Sequence, residues 1–491
     1  MRLKVFVLFL ALFAATTSAH IYTIDGCLNY MVTKSMGRYG TLAIPKFMMT
    51  VEGRDGRDYS KLGIGQSLVS LPLFWLGSLV ERLSPRNPAF IAYSEQVTIP
   101  RGSHAITAEP QTLIHLSDRE GAPIFFVTLT NALVAAAVCL LFWLILGGFG
   151  ASRTWALAGT AMLGFATPLW VYARDLFGEP LFTACLLATF YLLADGRRTL
   201  PMRSLVLAGL ASSLGILTRA SFIPLVGIFA TYLVLCSENK RSGLERALAY
   251  MSLCLPGIAV FALLNQARFG SIFLSGYHTA FDKGFSVPIY KGIVWNLFSP
   301  YRSLVLYAPC VLLGFLGLGA FIRRYRAQAA LVISIVAYIF LVYSGWWAWH
   351  GGWCWGPRFL VPVVPLLLIP GFATGGGRAR AVWLALGLAG AGFMVQLGAI
   401  LINYTTAYDY WIKIGVLDWA EKNIEMFSPI TVHWKAVLAT NPSNYDLWLI
   451  QVMKVNPAAG VITAAALLAL AIIVGKDIWG NRNTGRSGGP A

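Results

Sequence analysis

A chain with a dozen long apolar runs has few ways to fold. Runs long enough to cross a hydrocarbon core of about 30 Å begin near Lys4, Pro123, Thr154, Glu179, Ser204, Ser221, Ala247, Ser303, Ala329, Phe359, Ala381 and Pro457. In lipid every backbone N–H and C=O must find its partner within the protein, so such runs are helices. Composition agrees, since 57% of the 491 residues are hydrophobic and 12% charged, where an ordinary soluble domain has about a quarter charged. The sequence therefore predicts an all-α polytopic membrane protein with about 12 transmembrane helices.

The run Val5 to Ala15, behind Arg2 and Lys4 and ahead of Thr16-Thr17-Ser18-Ala19, also has the layout of a cleavable signal peptide. We read it as an uncleaved first span running from inside to outside. The short inner segments then carry Arg153; Arg197, Arg198 and Arg203; Lys240, Arg241 and Arg246; Arg323, Arg324 and Arg326; Arg378 and Arg380; and Lys476, Arg482 and Arg486. Against them stand only Asp195, Glu238, Glu245 and Asp477. Basic residues collect on the cytoplasmic side of membrane proteins, so both termini are expected in the cytoplasm of a multi-pass membrane protein. The formal net charge of +17 is then explained by arginines facing anionic membrane lipids, and no nucleic acid is needed as a partner. The other acids and all six histidines (His20, His104, His115, His278, His350 and His433) fall outside or at the outer boundary. Of the seven cysteines only Cys27 and Cys354 fall outside, where an oxidising compartment allows them to pair.

This orientation divides the chain into a transmembrane core over 1–404, an exterior cap region over 405–456, a last transmembrane helix over 457–480 and a flexible cytoplasmic tail over 481–491. Within the core, 19–122 is a long first exterior loop. Its apolar stretch 63–80 would reverse the side of every later loop if it spanned, so it is expected to be an interfacial helix. No internal repeat is visible.

Candidate chemistry gathers on the outer side. Asp25 follows the first span, and Lys61 stands in Tyr59-Ser60-Lys61-Leu62 at the start of 63–80. A carboxylate there can serve as a general base, and a lysine can hold a phosphate as a point charge. The plainer alternative has Asp25 capping a loop and Lys61 reaching along apolar surface toward water. The tight turn 168–180 brings up Arg174, Asp175 and Glu179, which also fit a local ion pair and an acid compensating a helix dipole. Arg219 lies between two spans with almost no loop, and an ionisable residue so placed is a functional candidate. Gly- and Pro-rich turns over 265–303 present Arg268, Tyr277 and Arg302.

Then comes Trp346-Trp347-Ala348-Trp349-His350-Gly351-Gly352-Trp353-Cys354-Trp355-Gly356-Pro357-Arg358, five tryptophans within ten residues. The interleaved glycines suggest more than an interfacial belt, because aromatic faces beside a charge hold sugar rings and isoprenoid chains. Tyr59, Tyr277, Trp346, Trp349, His350 and Trp353 are accordingly candidate sugar- or lipid-binding residues. No histidine or cysteine pair has the spacing of a transition-metal site.

An acid after the first span, a lysine leading into an apolar surface helix and an acid in the second exterior turn together resemble the GT-C integral-membrane glycosyltransferases. The resemblance is to the branch of protein O-mannosyltransferases and lipid A aminoarabinose transferases. It implies that Asp25 is the catalytic base or orients the acceptor, although the family's acidic pair reads Asp25-Gly26 here. It implies a donor-phosphate role for Lys61, with Leu62 where the family has proline, and a supporting role for Asp175 or Glu179. The activity implied is transfer of a sugar from a polyprenyl-phosphate donor to a glycan, lipid or protein acceptor at the outer, periplasmic face of a bacterial inner (plasma) membrane. Lys61, Arg302 and Arg358 would hold the donor phosphate. No cofactor is obligatory, although the acids can bind a divalent cation. A secondary transporter or a flippase-like protein of cell-envelope synthesis is the alternative, but transporters keep their ionisable sites near the midplane.

Overall fold

The computed structural model describes residues 1–85, 121–194, 200–277, 282–374, 379–405 and 428–480. His104, His115, His278, residues 406–427 and the tail 481–491 lie outside the described residues.

Each apolar run coincides with a helix: α1 (Arg2–Ala15), α4 (Gly121–Gly148), α5 (Arg153–Phe165), α7 (Glu179–Leu193), α8 (Met202–Thr218), α9 (Ile223–Cys236), α10 (Lys240–Phe269), α13 (Val311–Arg324), α14 (Arg326–Gly345), α15 (Val364–Thr374), α16 (Ala379–Leu401) and α19 (Pro457–Gly480). Five of these, α4, α10, α14, α16 and α19, contain stretches long and apolar enough to cross a membrane. The others are shorter. The protein is thus a helical membrane protein. Three short helices, α6 (Leu169–Tyr172), α11 (Ile289–Phe298) and α12 (Leu304–Tyr307), and two beyond the core, α17 (Pro429–Ala439) and α18 (Trp448–Val455), complete the helical set used below.

The helices pack around one apolar core that reaches from Val5 and Phe9 of α1 to Ala399 and Ile400 of α16. Where hydrophobic contrast with the lipid is absent, close backbone approach supplies the packing. Gly314 and Gly317 of α13 show it: a Cβ on either would run into the carbonyls of Leu367 and Pro370 on α15.

The segment between α1 and α4 contains α2 (Ile24–Tyr39), a two-stranded antiparallel hairpin of β1 (Thr50–Glu52) and β2 (Asp58–Ser60), and α3 (Gly65–Leu83). Helix α2 begins at Thr23, whose hydroxyl accepts from the Gly26 N–H at 3.0 Å, and ends at Gly40 in the left-handed conformation. Helix α3 falls on the stretch expected to be an apolar surface helix. It buries Gln66, Ser67, Ser70 and Phe74 on one side and leaves Trp75, Leu76 and Leu79 exposed on the other. The hairpin was not anticipated, because three-residue strands leave no period to read.

Candidate active site

The start of α2, the turn before α7, the end of α8 and the Trp-rich loop after α14 converge, and an ion-pair chain runs through their meeting point. Asp25, in the first turn of α2, is 7% exposed and its Oδ2 accepts from Arg358 Nη2. Arg358 Nε donates to Glu179 Oε1 at 2.6 Å, and Arg219 Nη2 donates to the same oxygen at 2.6 Å. Buried charges persist only when paired and hydrogen-bonded, which two carboxylates and two guanidiniums arranged in alternation achieve. The positive N-terminal end of α2 adds to the stabilisation of the Asp25 carboxylate.

A cavity of about 530 Å³ opens on this chain. Asp25, Lys61, Arg219, Arg268 and Arg358 supply its charged lining, so the described wall carries four cations and one anion. Tyr277, Tyr343, Trp346 and Phe359 supply aromatic faces. The Lys61 ammonium lies 5.0 Å from the Tyr277 ring centroid. Burial pushes Lys61 below the usual lysine range while the charge of Asp25 pulls it back up. Arg268 is held by the Ser60 carbonyl at 3.1 Å and by Asn265 Oδ1 at 3.1 Å, which ties the hairpin to the end of α10.

Of the residues singled out from sequence, Asp25, Lys61, Arg358, Tyr277 and Trp346 line this cavity, and Glu179 stands directly behind it. Asp175 does not line it. Its Oδ2 accepts from the Thr23 hydroxyl at 2.6 Å and its Oδ1 from the Leu176 N–H at 2.6 Å, so it braces the residue that caps α2. A Cβ on Gly26 would collide with that Asp175 carboxylate. The space beside Asp25 that a second acid would use is therefore filled by an acid from another turn. Burial raises Asp175 to about 6, against the lowering effect of the Thr23 hydrogen bond.

The alternative local pair of Arg174 with Asp175 is not formed. Arg174 reaches to Asp446, at 3.3 Å from Oδ2, and to the Ala399 carbonyl at 3.0 Å, because the connection between α17 and α18 brings its own acid into range. His20 Nε2 lies 2.6 Å from Asp446 Oδ1. Burial works to raise Asp446, but His20 and Arg174 hold it below the usual carboxylate range.

Arg302 also stands apart from the cavity. Its guanidinium donates to the carbonyls of Cys354 and, at 2.9 Å, Gly352, so it braces the Trp-rich loop. Trp355 donates to Gln396 Oε1 at 3.1 Å and accepts from the Tyr172 hydroxyl at 2.9 Å, which fixes the same loop from below. Trp349 is buried and stacked on Trp295. His350 Nδ1 accepts from the Gly352 N–H at 3.1 Å, and burial pushes it down to about 4, so it is neutral near pH 7. Trp353 does not line the cavity, and Tyr59 spends its hydroxyl on Asp55 at 2.8 Å. Cys27 and Cys354 are both buried free thiols. Among the described residues, no three His, Cys, Asp or Glu side chains gather in a way that could hold a metal ion.

Arg219, Arg268 and Thr23 contribute to the site from outside the candidate donor and catalytic sets. Arg219 had a signal, its ionisable side chain at a span end. Thr23 had none, since a threonine before an apolar helix reads as an ordinary cap.

No protein-family model matches the sequence, and no curated protein matches it. Solved structures do. One is the crystal structure of ArnT from Cupriavidus metallidurans bound to undecaprenyl phosphate, with 14% identity, 98% of this chain and 77% of that chain covered, and a TM-score of 0.47. Another is the archaeal oligosaccharyltransferase AglB from Archaeoglobus fulgidus in complex with an inhibitory peptide and a dolichol-phosphate. There identity is 11%, the TM-score is 0.50, and 87% of this chain aligns to 60% of that chain. At such identity the likeness is one of fold alone, a fold shared with AglB.

Proposed function

We propose that this chain is an integral-membrane glycosyltransferase that moves a sugar from a polyprenyl-phosphate donor to a glycan, lipid or protein acceptor on the outer side of the membrane. One observation carries the reading: a carboxylate, Asp25, shares an aromatic-walled cavity with Lys61, Arg219 and Arg358. A lipid-linked phosphate entering a partly dehydrated site needs compensating charge; Asp25 and Glu179 already balance Arg219 and Arg358, so the surplus comes from Lys61 with Arg268 on the same wall, and the two guanidiniums add hydrogen-bond donors. Aromatic faces beside them suit a sugar ring. Asp25 accepts or orients the acceptor proton, and the cations stabilise the charge that collects on the departing phosphate. The reading includes no obligatory metal, since basic side chains do the neutralising. The fold likeness to AglB, a protein solved with a dolichol-phosphate, supports the same class of donor.

The test is incubation of purified protein with a panel of radiolabelled polyprenyl-phosphate sugars and membrane extract as acceptor. Label should pass from at least one donor to an acceptor, and Asp25→Asn should lower turnover by a factor of about a hundred to ten thousand. Binding of free sugar with no affinity for any lipid phosphate would instead support a transporter.

A further inference from the structure

Arg358 makes three directed contacts and is stacked besides. Nε meets Glu179 at 2.6 Å, Nη1 meets the Gly351 carbonyl at 3.3 Å, and Nη2 meets Asp25. Its guanidinium carbon lies 4.4 Å from the Phe177 ring centroid and 5.4 Å from that of Phe359. Glu179, the Gly351 carbonyl and the two rings fix the guanidinium plane without any help from Asp25. The Nη2 edge is therefore the one that can change partner while the group stays in place. Both Asp25 and Arg358 line the cavity, so an anion placed there competes with Asp25 for that edge.

We infer that the Asp25–Arg358 ion pair is an exchangeable clamp, in which Arg358 passes from the Asp25 carboxylate to the donor phosphate as the sugar is transferred. The inference rests on the glycosyltransferase reading above. In the step, the acceptor O–H proton goes to the Asp25 carboxylate, and the acceptor oxygen's electron pair forms the new bond to the anomeric carbon. The bond from that carbon to the phosphate oxygen breaks, and its pair leaves with the lipid phosphate. Asp25 loses one negative charge and the phosphate gains one. Arg358 Nη2 follows the charge, while Glu179 keeps the guanidinium aligned and keeps Arg219 beside it. Base and phosphate clamp are then coupled, and the phosphate is held most tightly only after the proton has moved.

The clamp predicts the direction of an effect that an isolated base would not produce. Removing the Asp25 charge should release Nη2 and tighten binding of the lipid phosphate by about fivefold, since hydrogen bonds between charged groups are among the strong ones in proteins. The experiment measures affinity for undecaprenyl phosphate in nanodiscs with wild type, Asp25→Asn, Arg358→Lys and the double variant, with thermal unfolding as a check on folding. The expected result is tighter binding by Asp25→Asn and loss of that gain in the Arg358→Lys background, because lysine cannot keep one edge on Glu179 while offering another. Equal gains in both backgrounds would mean that only net charge matters and would overturn the exchange. Unchanged or weaker binding by Asp25→Asn, with wild type binding normally, would overturn it too. If wild type binds no lipid phosphate at all, the glycosyltransferase reading fails first and the clamp with it.

Discussion

Asp175 shows how a single side chain can matter to a site that it does not touch. Its carboxylate is fully buried, accepts from Thr23 and Leu176, and is raised to about 6 by burial. An acid whose folded value lies above its unfolded value of 3.8 contributes stability that is present below that value and is lost as pH rises through about 6. Asp175→Asn removes the titration and keeps an acceptor for Thr23. The variant should therefore gain thermal stability relative to wild type as pH goes from 4 to 7, by up to ~3 kcal/mol. Unfolding curves across that range check it. A wild-type advantage that grows toward pH 7 would mean that Asp175 is stabilised as the anion. The sequence showed Asp175 as a site acid but not which group it serves, because its partner Thr23 is 152 positions away.

At the scale of elements, the beginning of α2 decides the geometry. Thr23 donates to Asp175 and accepts from the Gly26 N–H, so one hydroxyl joins the turn before α7 to the helix that carries Asp25. That turn is itself pinned by Asn131 of α4, whose amide nitrogen lies within hydrogen-bond reach of the Tyr172, Asp175 and Phe177 carbonyls to share its two N–H groups among them, and whose oxygen accepts from Gln66 of α3 at 2.9 Å. Thr23→Val keeps the shape and removes both hydrogen bonds, and loss of a cap alone costs about 1 kcal/mol. We expect Thr23→Val to lower transfer at least tenfold while lipid-phosphate affinity changes little, because Lys61 and Arg219 sit on other elements, and we expect Thr23→Ser to recover most of the activity. Steady-state rates and donor binding on the same preparations check this, and equal losses in both would indicate collapse of the whole segment. Helices were legible because apolar length writes them directly into the sequence. The polar network was not, since each member is a common residue whose meaning depends on where the other turn lies.

For the whole molecule, the apolar runs announced a helical membrane protein, and the resemblance carried by Asp25, Lys61 and the second-turn acids led to the same fold that the structural comparison finds. What the sequence did not show was the sorting of the basic residues near its candidate site. Lys61, Arg219, Arg268 and Arg358 face one cavity, whereas Arg174 and Arg302 brace loops. Arginines of both kinds stand at the ends of apolar runs, and only packing separates them. The central claim is that this cavity holds a lipid-linked phosphate among those cations. The most direct measurement is a cryo-electron microscopy structure of the protein in nanodiscs with undecaprenyl phosphate. The account predicts phosphate density within hydrogen-bond reach of Lys61 and of at least one guanidinium from Arg219 and Arg358. Bound lipid whose phosphate lies elsewhere, with the cavity filled by acyl chain or left to water, would contradict it.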